Sequence, residues 1–470
     1  MVARVELELT EEVAPSGVES CESVVPGIRE QRRPTRHHLD RRRLLGDRDQ
    51  RERAPYAPSV ESFEKVAKSL RPTVRPRHVE SQLRPDPSRP ERCQDRGRVR
   101  DGALWGEREP GLGPIGFETL HEKRPLIRSS HRRIQHNGRS MATVEETSQP
   151  GKRRVSAEGL REFFREMLLI RRFEEKVEER FRAGELPGFL HVAIGQEAVA
   201  TGVCAALARE DVIASTHRAH GHTIAKGTPV EKVMAELYGK AEGCSGGYGG
   251  SMHLYDVEVG NLGANAVVAG GLPAIVGAAL AFQLRSEQRV AVAFLGDGAT
   301  NTGTFHESLN LAQLWKVPVI FVLENNGWAE STPAVQHLPL PVDKLGKRAV
   351  AYGMKLIEAD GQDVEAVYLA ALAARDHALA GKGPVLLHLR TFRLTGHYVG
   401  DPQVYRDRDA LKQERETKDP LRLLGARLEL SDDEFAAIDA EVTAEVEASV
   451  EFAKAGTDPK PEDALKYVYA

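Results

Sequence analysis

From about residue 141 onward the apolar residues fall into two rhythms. Leu160, Phe163, Phe164, Met167, Leu168 and Ile170 recur at three- and four-residue intervals, which predicts an amphipathic helix over residues 157–183. Short continuous apolar runs then take over: DVIAS at 211–215, RVAVAFL at 289–295, PVIFVLE at 318–324, MKLIEA at 354–359 and GPVLLHLRTF at 383–392. Runs of that length without polar alternation are the mark of strands buried on both faces. They alternate with helical stretches such as 302–315 and 362–380, so the fold class is α/β, a parallel sheet flanked by helices. Ser431 and Glu434 stand at capping-box spacing ahead of Phe435, Ile438, Val442 and Val446, predicting a helix that packs on the domain edge or on a partner. The polar stretch 396–417, with its isolated aromatics, is predicted to be a long surface loop of functional potential.

Residues 1–140 lack both rhythms. They carry Arg- and Pro-rich runs such as RRPTRHHLDRRR and are net basic, whereas the remainder is net acidic beneath the overall formal charge of −4. Such a segment cannot bury enough apolar surface to offset its ordering entropy, so a disordered extension is expected, followed by one domain over residues 141–470. A transit peptide should be short and poor in acidic residues, and this segment is neither. A basic nucleic-acid-binding arm is one alternative. The favoured reading is a stretch that is not natively translated, with Met141 as the true start. The four cysteines are scattered without a C-x-x-C pair, and no run of about 18 apolar residues occurs, which together predict a cytoplasmic enzyme with no membrane span.

The candidate chemistry lies where two of the strands end. RVAVAFL delivers Gly296, Asp297 and Gly298 at its carboxyl end, and PVIFVLE delivers Asn325 and Asn326 at its own. A right-handed crossover can make these strands neighbours, roughly 5 Å apart. Asp297 and Asn326 can then share one hard cation with a phosphate, the coordination that suits Mg²⁺, at the sheet edge where open α/β folds bind ligands. Each half alone reads as a turn or a loop. A dinucleotide loop is excluded because its third glycine would fall at Asn301, and no Gly-Lys is followed by Ser or Thr as a P-loop requires.

Joined, GDGATNTGTFHESLNLAQLWKVPVIFVLENNGWAESTP resembles the thiamine diphosphate motif of the α subunit of 2-oxo acid dehydrogenase complexes, and its ENNGWAESTP ending is most similar to the acetoin dehydrogenase branch. GFLHVAIGQEA, STHRAHGH, GGSMHL, NAVVAGGLP and TGHYVGDP extend the resemblance over residues 157–425. It implies the thiamine diphosphate-binding fold. It also implies that Asp297, the Asn326 side chain and the Trp328 carbonyl hold Mg²⁺ against the cofactor's diphosphate. Gly298 and Ala299 would approach that diphosphate through their backbone, Arg218 would pair with it, and Ala266 and Val268 would hydrogen-bond the aminopyrimidine through their main chain. His191, His220 and His397 are the implied catalytic residues, lining the reacting centre or bracing the diphosphate, and His217 joins Arg218 and His397 among the cofactor-binding positions.

Three positions depart from the pattern. His217 and Trp328 stand where tyrosine is more usual, and Tyr398 follows the loop histidine where eukaryotic relatives carry a phosphorylated serine, which implies that this kinase switch is absent. His217, His220 and His222 also have spacing open to a zinc site, but no acidic ligand stands nearby in sequence, and an anion-facing loop beside Arg218 is the favoured role.

The implied activity is cleavage of pyruvate or acetoin, with transfer of the acyl group to a lipoyl-bearing dihydrolipoyl acyltransferase. The implied partner is a β subunit that supplies the activating glutamate, in an α2β2 assembly, so the chain is expected to be inactive alone. A branched-chain 2-oxo acid dehydrogenase α subunit and a regulatory subunit with a vestigial site are the alternatives. A single-chain transketolase-type enzyme would need a second sheet domain, for which the length after Met141 is too small.

Overall fold

The computed structural model describes residues 153–463, together with the short strands Gln135–His136, Arg139–Ser140 and Val144–Glu146. Apart from the first two of those strands, which pair with one another, the extension expected over residues 1–140 lies outside the described residues.

Helix α1, Ala157–Arg182, starts where the Ser156 hydroxyl accepts the Gly159 N–H, and its apolar stripe is buried from Leu160 to Val177. Helices α2 (Glu197–Ala205), α3 (His220–Lys226) and α4 (Val230–Leu237) follow, with strand β1 (Val212–Thr216) between the first two. Strand β2 (Asn261–Asn265), helix α5 (Leu272–Leu284), strand β3 (Ala291–Gly296), helix α6 (Gly303–Trp315) and strand β4 (Val319–Asn325) come next. The chain continues through β5 (Lys355–Asp360), α7 (Val364–Leu379) and β6 (Val385–Arg390), then α8 (Arg408–Lys418), α9 (Pro420–Arg427) and α10 (Asp432–Ala455).

The six strands form one parallel sheet in the order β5-β6-β4-β3-β1-β2. Alternate side chains feed two cores: Val292 and Phe294 of β3 pack on the side of α1, α2, α4, α7 and α10, while Ala291, Ala293 and Leu295 pack on the side of α5 and α6. Strands β3 and β4 are direct neighbours with Gly296 opposite Glu324, so Asp297 and Asn326 leave the same edge of the sheet. The capping box at Ser431 is present, and α10 buries Val442 and Val446 against the domain.

Two expectations are corrected. The stretch 396–417 is not a loop throughout, because α8 occupies Arg408–Lys418; it buries no residue, so it leaves no apolar stripe, and it is held by the Asp407 side chain accepting the Asp409 and Ala410 N–H groups. Strand β2 was not expected, because NLGAN is neither apolar nor alternating; it lies at the sheet edge, where β1 is its one neighbouring strand and Asn261 makes an antiparallel bridge to Asp256.

Candidate active site

A cavity of about 410 Å³ opens at the carboxyl edge of the sheet, where β1, β3 and β4 end. Eleven of the candidate site residues named from the sequence line it: His191, His217, Arg218, Ala266, Val268, Asp297, Gly298, Ala299, Asn326, Trp328 and His397.

Asp297 is only 1% exposed. Its Oδ1 accepts the Gly298 N–H and its Oδ2 the Gly327 N–H, each at 2.7 Å, and among the described residues no cationic side chain lies within ion-pair distance. Burial pushes its pKa up, against those two N–H groups, so the carboxylate is short of positive charge. Asn326 follows β4 and faces the same space, while its neighbour Asn325 turns away to bond the Val342 carbonyl and His388. Gly327 makes the turn with φ +81°, a conformation side chains rarely adopt. At Gly298 a Cβ would stand 2.8 Å from the Ala329 Cβ, so the GDG backbone and the Trp328–Ala329 strand meet closely.

A second part of the cavity wall is cationic. Arg218, 6% exposed, donates to the Val192 carbonyl and, at 2.9 Å, to the His397 carbonyl. Arg393, 2% exposed, donates to the Glu330 carbonyl and the Tyr405 hydroxyl, each at 3.0 Å, and its Nε is buried without a partner. Neither has a carboxylate within ion-pair distance among the described residues. Burial first, and then Arg393, pulls Arg218 down to about 9. Both also meet the uncharged His397 ring, Nδ1 lying 3.4 Å from Arg218 and 3.2 Å from Arg393, and two buried guanidiniums with only uncharged hydrogen-bond partners form a site for an anion.

His191, His217 and His397 complete that wall, ring centroids 4.8 to 5.4 Å apart. Burial, followed by Arg218, lowers them to about 3, about 2 and about 4 respectively. The unfolded chain takes up protons near pH 6.5 that the folded chain refuses until roughly pH 4 or below. Their stabilising effect is therefore complete above pH 6.5 and lost as the pH falls toward 4. The melting temperature of the unliganded chain is expected to fall across that window, and less steeply in His217→Asn; equal slopes would contradict the buried neutral cluster.

His220 is corrected. As the first residue of α3 it points inward, is 0% exposed, and is held between Glu174 Oε2 at 2.7 Å and Ser251 Oγ at 2.8 Å, so it does not line the cavity. The zinc reading of His217, His220 and His222 fails for the same reason: His222 turns to Ser215 and Glu324, and the three rings have separate partners. Gln196, Glu324 and Arg393 line the cavity and were not singled out by sequence. Gln196 lies within GQEA and Glu324 directly precedes the two asparagines, whereas Arg393 carried no signal beyond its place just after the last strand.

Residues 165–462 match the family described as the dehydrogenase E1 component. The chain is 44% identical over 308 residues to the alpha subunit of acetoin:2,6-dichlorophenolindophenol oxidoreductase from Bacillus subtilis, covering 65% of this chain and 92% of that protein. It is 45% identical to the subunit of the same name from Cupriavidus necator, over 67% of this chain and 95% of that one. It is 40% identical to the pyruvate dehydrogenase E1 component subunit alpha of Porphyra purpurea, over 65% and 92%.

Proposed function

Since this chain belongs to the dehydrogenase E1 component family, we propose that its cavity holds the diphosphate half of thiamine diphosphate and is completed by a β subunit. Membership makes it the α subunit of a thiamine diphosphate-dependent oxidoreductase acting on pyruvate or acetoin, the substrates in the names of its relatives. The observation that carries the proposal is one cavity walled by a carboxylate, Asp297, and two guanidiniums, Arg218 and Arg393, all buried and none in an ion pair among the described residues. Buried charges without partners destabilise a fold, and a vestigial site has no reason to keep three of them.

The residues fit the group. A diphosphate carries the negative charge that Arg218 and Arg393 lack, and a divalent cation carries the positive charge that Asp297 lacks. Asp297, the Asn326 carboxamide and the Trp328 carbonyl form an oxygen-only donor set of the kind Mg²⁺ prefers. Gly298 and Ala299 line the cavity beside Asp297, and Ala266 and Val268 line it as well. Bound thiamine diphosphate supplies a nucleophilic ring carbon and an electron sink for cleaving the bond beside a carbonyl. His191, His217 and His397, held uncharged by burial and by Arg218, can donate or accept a proton at the reacting end of the cavity, and we assign catalysis to His191 and His397.

The β subunit is assigned the activating carboxylate and the cover of the site. Val267 and Val268, 69% and 54% exposed on the cavity rim, are an apolar edge for such a cover. Assembly as α2β2, delivery of the acyl group to a lipoyl-bearing acyltransferase and action in the cytoplasm complete the proposal. No helix among the described residues is long and apolar enough to cross a membrane.

Arg218→Met tests the diphosphate assignment. Losing one charge-assisted pair is expected to raise the dissociation constant for thiamine diphosphate about 10–100-fold in the α/β complex, measured by calorimetry. Unchanged affinity would remove Arg218 from the site.

A further inference from the structure

A line of polar side chains runs from inside the domain to the cavity wall, and the proposed function uses only its last member. Ser215 Oγ lies 2.8 Å from His222 Nδ1, and His222 Nε2 lies 3.3 Å from Glu324 Oε1. Gln196 Nε2 donates to that same carboxylate oxygen at 3.2 Å, and Asn326 Nδ2 donates to Gln196 Oε1 at 3.1 Å. Ser215, His222, Glu324 and Gln196 are all buried, and His222 is stacked on Phe294 with ring centroids 3.7 Å apart.

A primary amide has a donor end and an acceptor end of nearly equal size, so packing alone does not choose between its two orientations. A carboxylate offers acceptors only. Glu324 therefore takes the NH₂ end of Gln196, which turns the Gln196 carbonyl toward Asn326, and that carbonyl takes the NH₂ end of Asn326. The Asn326 oxygen is left on the far side, over the turn that carries Trp328, where it accepts the Trp328 N–H at 3.1 Å.

The geometry points to Glu324 as a positioning residue that acts through Gln196 to fix which end of the Asn326 amide is offered to the divalent cation. The inference rests on the assignment of Asp297 and Asn326 to a cation. It makes a specific demand: what matters at position 324 is the absence of a donor, not the shape of the side chain. Glu324→Gln keeps the shape and removes the demand, so both amides downstream can invert and Asn326 can present NH₂ to the cation. Gln196→Leu cuts the line. The exchange Gln196→Glu with Glu324→Gln restores it, because a carboxylate at 196 accepts from the Asn326 NH₂ group while the amide at 324 donates to it.

The test is a Mn²⁺ titration, followed by electron paramagnetic resonance of the free ion, on the full chain with its β subunit and saturating thiamine diphosphate. Melting temperature is recorded for each variant as the check on folding. Glu324→Gln and Gln196→Leu are each expected to weaken Mn²⁺ about 10–100-fold, the usual effect of losing a residue behind a metal ligand. The exchange variant is expected to recover most of that loss, which a merely structural role for Glu324 would not produce. If Glu324→Gln binds Mn²⁺ like the parent while Asp297→Ala does not, the relay is wrong and the cation site stands. If Asp297→Ala also binds like the parent, the cation site itself fails and takes the relay with it. An exchange variant as weak as the single variants overturns the relay as well.

Discussion

Asp297→Asn is expected to lower turnover of pyruvate or acetoin by the α/β complex by roughly 10³-fold, about 4 kcal/mol of transition-state stabilisation. The change keeps the side chain's shape and removes its charge. Asp297 sits at the end of β3 with both oxygens turned to backbone N–H groups and, among the described residues, no cationic side chain within ion-pair distance, so those N–H groups alone bond its charge in the unliganded fold. Burial already pushes its pKa up, the sign of a carboxylate held at a cost. An acid whose folded value is raised destabilises the fold at neutral pH, whereas asparagine keeps only one of the two acceptors that Gly298 and Gly327 use, so the two effects offset and the unliganded variant is expected to melt close to the parent. Activity should therefore fall far more than stability. A variant that melts lower yet turns over normally would show that Asp297 is a structural turn residue.

Glu236→Leu is expected to destabilise the domain by about 3–5 kcal/mol, because four backbone N–H groups, one buried and three part-buried, lose their acceptor together. Glu236 is 0% exposed, on α4. Its Oε2 accepts the Ser245 and Gly247 N–H groups, each at 2.8 Å, and its Oε1 accepts those of Gly249 and Gly250 at 2.8 and 3.1 Å. The segment from Gly243 to His253 is wound around this one carboxylate, and a Cβ at Gly243 would stand 2.4 Å from Glu236 Oε2. That segment carries Ser251 to His220 and Met252 to the cavity wall. Hydrogen exchange at 245–250 should accelerate, and Glu236→Gln, which keeps one acceptor oxygen, should be milder. Unchanged exchange in that segment would contradict the account.

The layout of the sheet was legible because buried parallel strands must be apolar on both faces, and the four inner strands are; KLIEAD kept enough of an apolar run to be read as a strand, but it lies at the sheet edge and is only partly buried, not covered on both faces as expected. The sixth, NLGAN, escaped because an edge strand need not be apolar, and α8 escaped because a helix that buries nothing carries no stripe; its Asp407 cap was the signal available. At the site, Asp297 and Asn326 were legible from strand ends and spacing, and the structure brings both to one cavity. His220 was misplaced because sequence spacing does not say which way the first turn of a short helix points, and Glu174, its partner, lies 46 residues away. Arg393 and Gln196 were missed for a related reason: each has a partner at the cavity from a distant part of the chain, Glu330 for Arg393 and Asn326 for Gln196.

The central claim is that this chain supplies the diphosphate half of a shared site. The most direct test is calorimetric titration of thiamine diphosphate with Mg²⁺ into the full chain, alone and with its β subunit, alongside Asp297→Ala. The account predicts tight binding only when the β subunit and Mg²⁺ are both present, and its loss in the variant. Absence of binding in the intact α/β complex, or binding indifferent to Asp297, would contradict it.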